Sequence, residues 1–296
     1  VKPRWNYYMI TADLAEYLID RKTLADAALP DRLPSEEVEP RHVHAAMRYP
    51  VLSGGKRLRS VLALAIAEIG GLRPEQTLDA ACAIEFVHAA SLILDDLPAM
   101  DNSDTRRDLP ATHRKFGEAT AILAALALIS DAYALISKNA ATQLDADRVS
   151  LAVSILSNTI GTAGLILGQH IDLTLARDAH TVEALESIYR TKAAVLFHAA
   201  VAIPAAIAKL NKSQCDALGI YATNVGIAFQ ITDDIIDAHH LHSDGERKVT
   251  FVTFAGEDGA RRKAVELVEA AVATLEQFGE RGVPLRSLAE YVASRT

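Results

Sequence analysis

The sequence is poor in aromatic residues, cysteine, glycine and proline. Only 5% of its 296 residues are Phe, Trp or Tyr, although 50% are apolar. Ala, Leu, Ile and Val therefore carry the apolar share, which excludes an intrinsically disordered chain. Fifteen Gly and ten Pro are few for an all-β protein, which needs a turn after each short strand. The two cysteines, Cys82 and Cys215, are far apart and follow no ligand spacing. That argues against a disulfide framework or a zinc site and fits a reducing, cytoplasmic setting. A basic excess is also missing: 30 Lys and Arg against 38 Asp and Glu leave a net charge of −8. Nucleic acid is not an expected partner, because binding to phosphate backbones usually rests on a basic surface. Any anion must be held locally, by a few placed cations or by metal. No basic-then-apolar leader opens the chain. The most apolar stretch, 119–136, is interrupted by Ser130 and Asp131, so no membrane span is expected.

Helical periodicity dominates what is present. Leu14, Tyr17, Leu18, Leu24 and Ala28 recur on one face, and residues 30–40 form a charged, Pro-bounded connector. Helix resumes near His42. A Gly-Gly turn at 54–55 leads into a further helix that ends at Gly70-Gly71. Longer helices are expected over 75–97, 116–139, 146–174, 181–210, 213–238 and 259–278. No period-2 strand, internal repeat or low-complexity linker is evident. The expectation is a single all-α domain over 1–296, a multi-helix bundle whose abundant Ala lets helices pack closely.

Two segments break the apolar pattern in the same way. SLILDDLPAMD carries Asp95, Asp96 and Asp101, and FQITDDIIDA carries Asp233, Asp234 and Asp237. Each puts adjacent carboxylates at the end of an apolar helical run, where a bare charge is costly to bury. Asp233 and Asp237 are one turn apart, with Gln230 on the same face. Pro98 ends the first helix, so Asp101 must return from the following turn. One such segment reads as capping or surface charge. Two point to a hard-cation site: carboxylate oxygens suit Mg²⁺, which substrate phosphates usually complete. A di-iron bundle would need Glu ligands and Glu-x-x-His pairs, and none stands near these aspartates.

Cations to meet such phosphates are at hand. Lys56 and Arg59 lie one turn apart at a helix start, where N-terminal amides also favour an anion. Arg106 and Arg107 follow Asp101, and arginine suits bidentate phosphate contacts. Together with the aspartates they describe a diphosphate site.

These motifs resemble those of the trans-isoprenyl diphosphate synthases, most closely the bacterial carotenoid-type geranylgeranyl diphosphate synthases. The likeness runs from about 45 to 256 through GGKRLR, EFVHAASLILDDLPAMD, RRDLPATH, GQHIDL, KAAVLF, FQITDDIID and KVTFVTFAG. It implies an isoprenoid-synthase bundle around a central apolar cavity, usually a homodimer, with three Mg²⁺ ions per active site. By resemblance Lys56, Arg59, His88 and Arg107 bind isopentenyl diphosphate. Arg106, Lys192, Gln230 and Lys248 hold the allylic diphosphate. Asp95, Asp101 and Asp233 carry the principal metal bonds, supported by Asp96, Asp234 and Asp237. Ala90 and Ser91, small residues before Asp95, let the growing tail pass, where aromatic residues would stop it at farnesyl. The expected activity is Mg²⁺-dependent condensation to geranylgeranyl diphosphate. The alternatives are a farnesyl diphosphate synthase and a weakly active or inactive homologue serving as a regulatory subunit.

Gln169 and Asp172 serve either structure or site. The histidines at 239, 240 and 242 read as a solvated loop after a helix. Three departures from the family pattern stand out: Ala193 where Thr is usual, Asp108 where Gly follows the arginine pair, and a shortened 238–247 loop.

Overall fold

Alanine sets how closely the central helices approach. In the computed structural model, which describes residues 12–143, 146–174, 181–240 and 249–295, the helices are α1 (Ala12–Ala28), α2 (Arg41–Leu52), α3 (Leu58–Ile69), α4 (Leu78–Asp95), α5 (Thr112–Phe116), α6 (Glu118–Gln143), α7 (Ala146–Ile160), α8 (Leu165–Thr174), α9 (Val182–Tyr189), α10 (Val195–Ile207), α11 (Lys212–His240), α12 (Phe251–Ala273) and α13 (Val283–Ser294). Buried Ala80, Ala81, Ala83, Ala89 and Ala90 of α4 and buried Ala121, Ala124, Ala125 and Ala132 of α6 make that pair a tight central contact. α4 also packs on α3 and α10, and α11 packs on α10 and α12. A continuous core runs from Leu18 through Phe86, Phe197 and Tyr221 to Val292. All-α architecture, as expected, is what forms.

The helix boundaries depart from periodicity where backbone geometry intervenes. Residues 146–174 are two helices, because a turn containing Gly161 and Gly164 separates α7 from α8. The run 181–210 is interrupted by a π turn, Arg190–Ala194. α12 begins at Phe251, well before residue 259, and kinks at Gly256, whose φ is 71°. Two short strands also form: β1 (Thr105–Arg106) and β2 (Leu109–Pro110) pair antiparallel. Such a minimal hairpin is set by its turn and leaves no period-2 run to read.

Among the described residues four helical stretches are long and apolar enough to cross a membrane by length and composition: Pro74–Asp95, Glu118–Asn139, Asp147–Thr174 and Glu183–Ile207. This corrects the inference from Ser130 and Asp131, which still leave an 18-residue window within Glu118–Asn139 with a mean hydropathy of 1.9. The first and last stretches are 67% buried within the bundle, the middle two only 39% and 22%. Ile122, Leu123, Leu126, Leu151 and Ile166 accordingly remain exposed on that side.

Candidate active site

Asp95 is the last residue of α4, and Asp96 caps it. The chain then turns back, so that the Asp101 N–H donates to the Asp95 carbonyl (2.9 Å) and the Ser103 N–H to that of Asp96 (3.2 Å). The expected return of Asp101 is thereby met. Burial raises the Asp95 carboxyl above the usual carboxylate range; Lys192 opposes the rise and Asp101 adds to it. Asp96 is nearly inaccessible and is gripped by Arg106, whose Nε lies 3.1 Å from Oδ1. Burial alone would lower the Arg106 pKa, but the bond to Asp96 and the surrounding aspartates raise it overall.

The β1–β2 hairpin aims the arginine pair. Arg107 and Asp108 occupy its turn at φ 55° and 63°, the left-handed region that two-residue hairpins require. A glycine there adopts this conformation freely, whereas Asp108 takes it with a Cβ. Arg107 Nη1 reaches the Gly54 carbonyl. A Cβ on Gly55, at φ 128°, would lie 3.2 Å from the Arg107 guanidinium, so the bare backbone admits that approach.

Lys56 and Arg59 do not share a helix face. Arg57 takes a left-handed conformation (φ 53°) and α3 starts only at Leu58, because Arg57 is drawn inward to Asp26 (2.8 Å) and Glu85 (3.3 Å). Lys56 instead sits 5.9 Å above the Phe229 ring. Arg59 stacks 4.7 Å over Phe197 and donates through Nη1 to His88 Nε2 at 3.5 Å. Burial and the neighbouring arginines keep the His88 pKa well below its ordinary value, so the imidazole is neutral. Burial also lowers the pKa values of Lys56, Arg59 and Arg107. Among the described residues no carboxylate forms an ion pair with any of the three, and Arg59 Nε is buried without a partner.

The second aspartate segment lies inside α11, not at a helix end, because helix continues to His240. Its side chains also diverge. Asp233 pairs with Arg295, whose guanidinium lies 4.0 Å over Phe229. Gln230 bonds Asp234 (3.0 Å) rather than sharing a contact with Asp233, as i,i+4 neighbours do. Tyr189 donates to the other Asp234 oxygen. Burial and the flanking Asp233 and Asp237 push Asp234 up to about 6, against the two hydrogen bonds. Opposite, Lys192 leaves the π turn and pairs with Asp172 (2.6 Å); such turns inside helices are frequent at functional sites. α8 lies so near that a Cβ on Gly168 would meet the Lys192 backbone N at 2.6 Å. Ala193 is buried beside it.

Ala90 is fully buried, while Ser91 is half-buried with its hydroxyl on the His88 carbonyl (2.9 Å). Lys248 and His242 lie outside the described residues, as do the side chains of His239 and His240 and most of the 238–247 loop. Among the described residues no three His, Cys, Asp or Glu side chains converge as a ready metal cage. Sequence reasoning missed Tyr189, Arg295, Phe197 and Phe229. Tyr189 had a local signal, as a polar-tipped residue three before Lys192, and Phe197 and Phe229 end and open the KAAVLF and FQITDDIID motifs. A groove of about 460 Å³ between the connector, α2 and α6 shares no residue with this site.

An all-α bundle that brings two aspartate segments near Lys56, Arg59, Arg106 and Arg107 fits an enzyme class that works on diphosphates. The family described as polyprenyl synthetase matches residues 40–263, and the chain belongs to it. It is 36% identical to a dimethylallyltranstransferase of Fischerella ambigua (strain UTEX 1903), over 97% of this chain and 85% of that protein. It is 34% identical to a geranylgeranyl diphosphate synthase of Cyanophora paradoxa, over 96% of this chain and 97% of that one. The crystal structure of an FPP/GFPP synthase from Zymomonas mobilis superposes with a TM-score of 0.85 at 34% identity, covering 95% of this chain and 99% of that one.

Proposed function

We propose that this chain is a short-chain trans-prenyltransferase that joins isopentenyl diphosphate to an allylic diphosphate, with geranylgeranyl diphosphate as principal product. The observation that carries the reading is the separation of charge. Among the described residues Lys56, Arg59 and Arg107 form no carboxylate ion pair, the first two half-buried and Arg107 exposed, while the charge of Asp101 adds to the rise of the half-buried Asp95 carboxyl. Buried charge of either sign is costly unless met. A diphosphate meets the first set and a cation the second.

The aspartates fit Mg²⁺, since their donors are carboxylate oxygens with no thiolate or imidazole among them. Asp95 and Asp101 would hold it on one side and Asp233 on the other, with Asp96, Asp234 and Asp237 in support. When bound, three such ions supply Lewis-acid stabilisation of the departing diphosphate.

The protein's own groups do the rest. Lys56, Arg59, Arg107 and neutral His88 hold the isopentenyl diphosphate and present its double bond. Arg106, Lys192, Gln230 and Lys248 hold the allylic diphosphate. As the allylic C–O bond breaks, its electron pair leaves on the diphosphate oxygen, where fixed cations stabilise it. The isopentenyl double bond attacks the allylic carbon, and a proton then passes to the released diphosphate. Apolar walls around α4 exclude water that would quench the cation. Ser91, small and half-buried, leaves room along α4 for the tail, whereas Ala90 is fully packed.

A homodimer accords with the exposed Ile122, Leu123 and Leu126 on α6, since large bare apolar patches usually mark an interface. The reading also places the enzyme in a reducing, cytoplasmic setting. Purified protein incubated with Mg²⁺, isopentenyl diphosphate and each allylic primer should form geranylgeranyl diphosphate. Failure with every primer, relieved only by a partner protein, would favour a regulatory subunit instead.

A further inference from the structure

Asp234 is held in a way its neighbour is not. Its two oxygens each accept from a neutral donor: Oδ1 from the Gln230 amide at 3.0 Å and Oδ2 from the Tyr189 hydroxyl. Two donors on different atoms fix a carboxylate's rotation as well as its position. Asp233, one residue earlier, points instead to Arg295.

Tyr189 is 6% exposed and is the last residue of α9, at the entry to the π turn that carries Lys192. Its ring leans on Phe251, with centroids 5.4 Å apart. Its hydroxyl oxygen also accepts the backbone N–H of Phe251 at 3.3 Å. That N–H is the first of α12, one of the donors a helix start leaves without an internal partner. Burial and the adjacent carboxylate keep the phenol protonated, so it can donate to Asp234 and accept from Phe251 at once. One hydroxyl thus ties the Lys192 turn, the aspartates of α11 and the start of α12 together. The first two carry Lys192 and Gln230, to which, with Arg106 and Lys248, the proposed function assigns the allylic diphosphate.

A buried tyrosine needs a hydrogen-bond partner, and Asp234 could merely satisfy it. The Tyr189 ring belongs to the apolar core, but its hydroxyl meets Asp234, one of the candidate metal carboxylates, and feels the charge of Asp172. We infer that Tyr189 is a positioning residue of the allylic site, whose hydroxyl orients Asp234 and anchors the start of α12 for a metal–diphosphate complex. This rests on the prenyltransferase reading.

The test uses inorganic pyrophosphate with Mg²⁺ as probe, titrated calorimetrically into the full chain. Wild type, Tyr189→Phe, Asp234→Asn and the double variant are compared. Phe keeps the ring contact with Phe251 and removes only the hydroxyl. Loss of a hydrogen bond to a charged group should weaken pyrophosphate binding about tenfold. In the Asp234→Asn background the same change should cost clearly less than in wild type, because part of its effect runs through Asp234. In steady-state assays the allylic KM should rise while the isopentenyl KM stays within about twofold. Wild-type affinity in Tyr189→Phe would overturn the inference. So would additive losses in the double variant, or a lowered melting temperature with unchanged affinity, which would assign Tyr189 to packing alone. A wild type that neither binds Mg²⁺-pyrophosphate nor condenses substrates would overturn the prenyltransferase reading itself, and this inference with it.

Discussion

Arg295 and Asp233 stand 62 residues apart and meet at the proposed metal site, where the guanidinium donates to the Asp233 carboxylate and to the Phe229 carbonyl (3.4 Å). The Arg295 side chain is 2% exposed, against 34% for that of Asp233. Its Nε and Nη1 are buried without partners. The C-terminal end of the chain therefore puts a positive charge on a carboxylate that a divalent ion would use.

That contact makes the cation and Arg295 competitors for Asp233. Arg295→Met keeps an unbranched chain over Phe229 and removes the charge. Mn²⁺ binding without substrate, read by electron paramagnetic resonance, should tighten by roughly three- to tenfold, since a charge-assisted bond no longer has to be broken. Unchanged or weaker binding in a folded variant would count against Asp233 as a ligand.

Asp234 gives a pH signature. Its carboxyl is raised from 3.8 to about 6 in the fold, chiefly by burial. The folded state then binds that proton more tightly than the unfolded chain. Stability contributed by the protonated form is present below about 4 and is lost as pH rises through about 6. Asp234→Asn, uncharged throughout, should be more stable than wild type at pH 8 by about 1–3 kcal/mol in metal-free buffer. The two melting temperatures should converge toward pH 4. A gap that is the same at both pH values would remove burial of the charge as its cause.

Product length should respond at Ser91. Ala90 is fully buried, and a large side chain there would overpack α4 at a cost of about 1–3 kcal/mol. Ser91 is only half-buried, so Ser91→Phe can fill space along α4 without that penalty. Chromatography of the dephosphorylated products should show a shift from geranylgeraniol to farnesol. An unchanged distribution would place the tail on another wall.

The helices around α4 were readable because apolar periodicity and alanine content both act locally. Asp95, Asp101 and the arginine pair were readable as well, since Pro98 and the chain return are local events. The unread features depend on distant partners. Nothing near Arg295 announces Asp233, and the swing of Arg57 toward Glu85, which separates Lys56 from Arg59, needs α4 in place. The hairpin turned on the φ values of Arg107 and Asp108, which no side-chain pattern encodes. Gln230 went to Asp234 rather than Asp233 because Arg295 already held Asp233 and i,i+4 geometry brought the other carboxylate near.

The central claim is that the carboxylates at the end of α4 hold the metal that drives diphosphate departure. It is tested most directly by turnover of Asp95→Ala against wild type, with saturating isopentenyl and allylic diphosphates and Mg²⁺, after circular dichroism has shown both folded. Metal-assisted stabilisation contributes several kcal/mol, so the variant should lose at least about 10³-fold in turnover. Its fold should survive, since burial and Asp101 already disfavour the Asp95 charge. Near-wild-type turnover in the folded variant would contradict the account.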